Sequence, residues 1–126
     1  MERRLISSPQ PFEDRYGYSR AVVAGKHVFV SGTVARMPDG SDPPPDAYAQ
    51  ARRVFEIIVT ALAEAGAGPE DVVRTRIFVT RAEDFDAVGR AHKEVFGETK
   101  PASTGLVVSM IEPRWLVEIE ADALLP

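Results

Sequence analysis

The sequence predicts an α+β fold in which two helices pack on one face of a mixed β-sheet. Apolar residues recur at helical spacing in two segments, residues 47–65 and about 82–96. Strand-like segments precede, separate and follow these helices, an order typical of helices that cover one side of a sheet. With 126 residues the chain has room for one hydrophobic core, so residues 1–126 are expected to form a single domain.

Three strands are predicted in the N-terminal part of the chain. Residues 5–6 suggest a short first strand, and residues 8–17 form an irregular loop that contains two prolines and a glycine. Residues 20–24 and 27–31 follow as two strands of a hairpin, because Gly25 and its neighbour form a two-residue turn signal.

The two predicted helices have clear boundaries. Asp46 is a suitable N-cap for the first helix, which ends at Gly66. The second helix ends at Phe96, and His92 falls on its apolar stripe, where a histidine is usually a hydrogen-bonded packing residue and seldom a metal ligand. The core-facing positions of the first helix are Ala47, Ala51, Val54, Phe55, Ile58, Leu62 and Ala65.

Three further strands are predicted at residues 72–80, 103–111 and 115–124. In the last strand the side chains alternate, with Trp115 and every second residue after it on one face. The other face carries three carboxylates, which usually form a solvated row. A covered carboxylate would have a raised pKa and would become a candidate proton donor or acceptor. These acidic residues are Glu118, Glu120 and Asp122.

Arg76 is the basic residue with the clearest need for a partner. It lies in a strand otherwise suited to burial, and an unpaired buried charge would cost several kcal/mol. Glu118 or Glu120 is expected to be that partner. Two interpretations stay open: a salt bridge across the sheet or at a subunit interface, which we favour, and a clamp for an anionic ligand.

Composition argues against several classes of function. The formal charge is −4 and the fifteen basic residues are scattered, so a nucleic acid is an unexpected partner. The chain has no cysteine, which excludes disulfides and cysteine-ligated metals and fits a reducing cytoplasm. No signal peptide or membrane-spanning segment is predicted, so we expect a soluble cytoplasmic protein.

Several motifs together resemble the Rid/YjgF family. Residues 101–104 read Pro-Ala-Ser-Thr at the start of a strand, and residues 117–121 read Val-Glu-Ile-Glu-Ala. Residues 18–21 read Tyr-Ser-Arg-Ala, residues 29–33 read Phe-Val-Ser-Gly-Thr, and residues 71–79 also match. The likeness therefore runs through nearly the whole chain.

The resemblance implies a chorismate-mutase-like fold, assembly as a homotrimer and ligand clefts between subunits. The best-understood branch of the family hydrolyses enamine and imine intermediates such as 2-aminoacrylate to ammonia and a 2-keto acid. That branch has an arginine at the position of Ser103, where its planar guanidinium holds the substrate carboxylate. It also often has cysteine at the position of Gly105 and asparagine at that of Gly89.

The resemblance further implies the residues of the site. Glu120 matches the family glutamate and is predicted to be the catalytic acid–base group, acting through water. The ligand is expected to be a small anionic molecule, with no metal or organic cofactor. Two functions stay open, a hydrolase of imines or related species and a non-catalytic metabolite sensor or interaction module. The predicted ligand-binding residues are Tyr18, Ser31, Gly32, Arg76, Ser103 and Thr104.

Overall fold

The computed structural model describes residues 2–126, which contain one six-stranded sheet in the order β1-β2-β3-β6-β4-β5. Neighbouring strands are antiparallel except for β4 and β5, which are parallel. The predicted fold class, a mixed sheet with two main helices on one face, is confirmed. The strands are β1 (Arg3–Ile6), β2 (Ala21–Ala24), β3 (His27–Thr33), β4 (Val72–Val79), β5 (Ala102–Val107) and β6 (Val117–Leu124).

The two main helices cover one face of this sheet and enclose the core. They are α2 (Ala47–Ala65) and α3 (Phe85–Phe96). The alternation predicted for β6 is observed, because every second side chain of this strand is buried against the helices. Burial of each such valine or isoleucine side chain contributes roughly 1.5–3 kcal/mol. The buried residues of β6 are Val117, Ile119, Ala121 and Ala123.

The ends of α2 are formed as the sequence predicts. The Asp46 side chain accepts a hydrogen bond from the Ala49 backbone N–H at 2.8 Å and so satisfies one free donor of the first turn. At the other end Gly66 has φ 94°, a left-handed conformation that side chains rarely adopt, and its N–H closes the helix on Ala63 O.

Several element ends differ by one to three residues from the prediction, and two predictions are wrong. The loop predicted at residues 8–17 contains a short helix, α1 (Pro11–Tyr16), which starts with a proline and ends at a left-handed Gly17. The strand predicted at residues 103–111 ends at Val107. Its neighbour β4 ends at Val79, so the chain beyond that point has no strand to pair with.

The second face of the sheet is covered by no element of the described residues 2–126. Three large apolar side chains of this face, Phe29, Leu106 and Leu124, are exposed. We call this surface the open face. Charged side chains of β4 and β6 share it with these apolar groups, and its apolar part is of the kind that usually contacts another protein. No helix of the described chain is long and apolar enough to cross a membrane.

Candidate functional site

A cavity of about 720 Å³ lies beside the ends of β3 and β6. One wall is the N-terminal segment around α1, and a second is the outer side of α2. The segment after β3 and the connection between β5 and β6 line the remaining sides of the cavity. A cavity of this size accommodates a small organic molecule.

Glu118 is the acidic group that β6 places in the cavity. Burial raises the pKa of its carboxyl, while the charge of Arg20 lowers it and that of Glu120 raises it, with a net pKa above the ordinary value. A Cβ built on Gly32 would lie 2.7 Å from Glu118 Oε2, so the missing side chain of Gly32 makes room for this carboxyl. A carboxyl with a raised pKa inside a cavity is a candidate acid–base group.

The position of Gly32 follows from an irregularity in β3. Pairing between β3 and β6 shifts between Val30 and Thr33, as in a β-bulge, and Gly32 lies within the shifted stretch. Bulges redirect the backbone locally, and glycine permits a close approach here. The irregularity therefore sets the Gly32 backbone against the Glu118 side chain.

Arg20 is the cation nearest to this arrangement. Its NH2 group donates a hydrogen bond to Gly32 O at 2.7 Å, whereas its buried Nε has no hydrogen-bond partner among residues 2–126. In the same part of the chain it forms no salt bridge. Burial lowers the pKa of its guanidinium, although that of an arginine stays far above neutral pH.

Three of the predicted ligand-binding residues lie at or beside the cavity. Tyr18 and Gly32 line it, and the Tyr18 side chain is partly exposed. Ser31 adjoins it, but its hydroxyl donates to Ser19 O at 2.7 Å and so fixes the loop before β2. This hydrogen bond holds the backbone that carries Tyr18 and Arg20.

Glu120 and Arg76 face each other across β6 and β4, away from the cavity lining. Arg76 NH1 is 2.9 Å from Glu120 Oε1 and 3.6 Å from Asp122 Oδ2. Of the two partners expected from the sequence, Glu120 is the one that Arg76 meets, and the geometry is that of the favoured salt bridge. The group is partly exposed, so the pair adds roughly 0–1 kcal/mol to stability.

Ser103 and Thr104 lie on β5, at the edge of the sheet. Thr75 Oγ1 donates to Ser103 Oγ at 2.8 Å and is itself 2.8 Å from His92 Nε2. His92 is therefore a hydrogen-bonded packing residue, as its position in the sequence indicated. Thr104 is the register partner of Arg76. Within one chain the structure thus separates the predicted site into a cavity group and a β4–β5–β6 group.

The ring of Phe85 fills the space beside Gly105. A Cβ built on Gly105 would lie 2.2 Å from Phe85 Cε1, so a larger residue fits only if the ring moves. No group of three or more potential metal ligands exists in residues 2–126.

Comparison with known proteins identifies the family. The family model described as Endoribonuclease L-PSP matches residues 9–125. A solved structure from Mycobacterium tuberculosis, Rv2704, described as a member of the YjgF/YER057c/UK114 family, has a TM-score of 0.90 and 42% sequence identity, covering 98% of this chain and 100% of that one. The chain belongs to the Rid/YjgF family.

Two further proteins are similar to this chain over most of their length. The uncharacterized protein SCO2049 of Streptomyces coelicolor is 44% identical over 121 residues, which is 95% of this chain and 90% of that protein. The structure of YyfA from Yersinia pestis, described as a conserved Rid family protein of unknown function, has a TM-score of 0.88 and 28% identity, covering 98% of this chain and all of that one. The family resemblance predicted from the sequence is therefore confirmed.

The predicted site of this Rid/YjgF protein lacked most of the residues that line the cavity, among them the charged residues Glu118, Arg20 and Arg36. Alternation in β6 places Glu118 and Glu120 on the same face, so the period alone could not separate them. The distinction comes from their neighbours across the sheet, since Glu118 lies by the irregular part of β3 and Glu120 lies opposite Arg76. For Arg20 the sequence signal was its place in the Tyr-Ser-Arg-Ala motif of residues 18–21, two residues after Tyr18.

Proposed function

We propose that this protein hydrolyses a small imine or enamine intermediate in the cavity, with Glu118 as the acid–base group. The observation that carries the proposal is the half-buried Glu118 carboxyl, whose pKa burial raises, inside a cavity large enough for a metabolite. Membership of the Rid/YjgF family supports a small-molecule ligand. The role assigned to Glu120 from the sequence passes in this proposal to Glu118, its neighbour on the same face of β6.

The chemistry needs only water and one proton carrier. An enamine first tautomerises to the imine, which water attacks at carbon to give a carbinolamine. The amine nitrogen then takes up a proton, the C–N bond breaks and the hydroxyl group loses its proton, which leaves a carbonyl product and ammonia. A carboxyl with a raised pKa can protonate the imine nitrogen and later take the proton from the attacking water, since proton transfer works best with a pKa near the working pH. Glu118 would supply both transfers.

Assembly as a homotrimer is part of the proposal. The open face exposes apolar side chains, and a second copy of the chain would cover them. Contact between copies would also bring Ser103 and Thr104, on β5 of one subunit, toward the cavity of the next subunit. A cysteine-free chain suits a reducing compartment, and we place the protein in the cytoplasm.

A non-catalytic metabolite sensor is the second candidate, and Ser103 favours it. Its hydroxyl accepts a hydrogen bond from Thr75 and brings no charge, whereas the deaminating branch has an arginine at this position. Without that arginine the site lacks the group with which the deaminating branch holds its substrate, which argues against the same turnover here.

The function is tested by imine hydrolysis in the wild type and in Ser103→Arg. 2-Iminopropionate forms by tautomerisation of 2-aminoacrylate, and larger 2-imino acids are made from amino acids by an amino-acid oxidase. The decay of each imine is compared with its spontaneous rate. Acceleration by the wild type supports the proposal. No acceleration of any imine by the wild type, together with activity gained on Ser103→Arg, would support the sensor.

A further inference from the structure

Arg20 and Arg36 are two cationic residues that both line the cavity. Neither forms a salt bridge within the described residues 2–126. Burial is the main cause that lowers the pKa of Arg20, and the charge of Arg36 lowers it too, against Tyr18, Glu13 and Glu118, which raise it. Because neither guanidinium is engaged by a salt bridge in residues 2–126, both can donate hydrogen bonds to an anion bound in the cavity.

Aromatic rings fix the position of Arg36. Its Cζ lies 5.1 Å from the centre of the Phe12 ring and 5.3 Å from that of Trp115, so the guanidinium is placed between two ring systems. Stacking of this kind holds an arginine in place and leaves N–H groups free to donate. Arg20 is held separately by its hydrogen bond to Gly32 O.

Part of the cavity lining is apolar, and the cavity is larger than a three-carbon ligand requires. Both rings that hold Arg36 also line the cavity, which has a volume of about 720 Å³. An apolar wall of this extent gains most from a ligand that buries an apolar group of its own. Further apolar lining residues are Tyr16, Ile57, Met110 and Ile111.

We propose that Arg20 and Arg36 together bind the carboxylate of the ligand, and that the aromatic wall binds an apolar or aromatic side chain of the same molecule. The ligand class is then a 2-imino or 2-keto acid with a large apolar side chain. This inference deepens the proposed function, because it names the substrate class for the same cavity. Arg20 and Arg36 would supply the charge that Ser103 lacks.

The test uses equilibrium binding, which is independent of turnover. Phenylpyruvate has both the carboxylate and the ring, phenylacetone keeps the ring and the ketone without the carboxylate, and pyruvate keeps the carboxylate without the ring. Calorimetry with the wild type should give the tightest binding for phenylpyruvate. Loss of one charge-assisted hydrogen bond should weaken its binding about 10-fold in Arg20→Gln and in Arg36→Gln.

Three controls make the result specific. Arg52→Gln removes the same charge from the outer surface of α2, where Arg52 pairs with Glu94 at 3.1 Å, and should bind phenylpyruvate as the wild type does. Arg20→Lys keeps the charge but loses the planar donor pair, so it should bind more weakly than the wild type. Thermal melts of each variant identify any that fail to fold, and the Arg36 variant then tests the clamp independently.

The outcomes separate this inference from the proposed function. Equal binding of phenylacetone and phenylpyruvate, or unchanged binding in both Arg20→Gln and Arg36→Gln, would overturn the clamp. Tighter binding of phenyl phosphate than of phenylpyruvate would overturn the assignment to a carboxylate. Tight, arginine-dependent binding of phenylpyruvate without hydrolysis of any imine would support the clamp while contradicting the proposed catalysis.

Discussion

The carboxyl of Glu118 lies against the backbone of Gly32. A Cβ at residue 32 would come within 2.7 Å of Glu118 Oε2, which is closer than stable contacts allow. Gly32 does not have a left-handed φ, so alanine is compatible with its backbone conformation. The glycine is therefore required by the neighbouring carboxyl and not by the path of the chain.

Gly32→Ala should displace the Glu118 carboxyl without unfolding the protein. A shift of about 1 Å in a catalytic group can lower a rate about 100-fold, and we expect a loss of this order in imine hydrolysis. The double variant Gly32→Ala with Glu118→Gln should be no worse than Glu118→Gln alone, because both changes remove the same group. If the rate losses of the two single variants multiply in the double variant, this mechanism is contradicted.

Glu118→Gln should stabilise the protein at neutral pH. Because burial raises the folded-state pKa of Glu118 above about 4.5, the folded protein holds this proton more tightly than the unfolded chain does. The free energy of unfolding then falls as pH rises from the unfolded pKa through the folded one. The gain of the variant over the wild type should be largest above this range and vanish below about pH 4, as measured by urea denaturation across pH. A variant less stable at pH 8 would contradict the raised pKa.

His92 should make the protein less stable in mild acid. Burial lowers the folded-state pKa of His92 below its ordinary value near 6.5, so the unfolded chain takes up the proton first. Stability should therefore fall as pH drops below about 6.5. His92→Gln should remove that part of the pH dependence. The measurement is the urea midpoint between pH 7.5 and pH 5.

Gly105→Ala should destabilise the fold through Phe85. The new methyl group would overlap the Phe85 ring, which is 40% exposed and can move outward, so the expected cost is about 1 kcal/mol, at the low end for overpacking. Adding Phe85→Ala should make the Gly105→Ala change nearly neutral. Gly89→Ala, where a Cβ meets no atom within 4 Å, should instead stabilise helix α3 by about 0.5–1 kcal/mol.

Charge reversal at Arg76 distinguishes its two interpretations. Arg76→Glu would set three carboxylates together on the open face, since Glu120 and Asp122 are its present partners. We expect assembly and ligand binding to be lost together, which analytical ultracentrifugation and calorimetry would measure. The exchange Arg76→Glu with Glu120→Arg should restore assembly. Loss of ligand binding with assembly intact would instead support the interpretation of Arg76 as a clamp for an anionic ligand.

Much of the fold could be read from side-chain periodicity, because the helices and strands of this chain each bury one face. The hairpin, both main helices and the buried face of β6 follow from that pattern. The end of β5 could not be predicted from this pattern, because it depends on where the neighbouring strand β4 stops. Helix α1 was missed because its signals, Pro11 and Gly17, are also those of a turn.

The site was harder to predict than the fold because it depends on distances across strands. Glu118 and Glu120 are equivalent in the sequence pattern, yet one lies in a cavity and the other in a salt bridge. Arg20 belongs to the family motif at residues 18–21, but only the structure shows that it lies beside Glu118 and Gly32.

The most direct test of the account compares Glu118→Gln with Glu120→Gln in imine hydrolysis. The two changes are chemically identical and lie two residues apart on one face of β6. If Glu118 is the acid–base group, Glu118→Gln should lower the rate by about 100-fold or more. Glu120→Gln should lower the rate of imine hydrolysis far less. A large loss of rate in Glu120→Gln, with the rate of Glu118→Gln close to that of the wild type, would contradict the assignment. The chemistry would then lie at the salt bridge between Glu120 and Arg76.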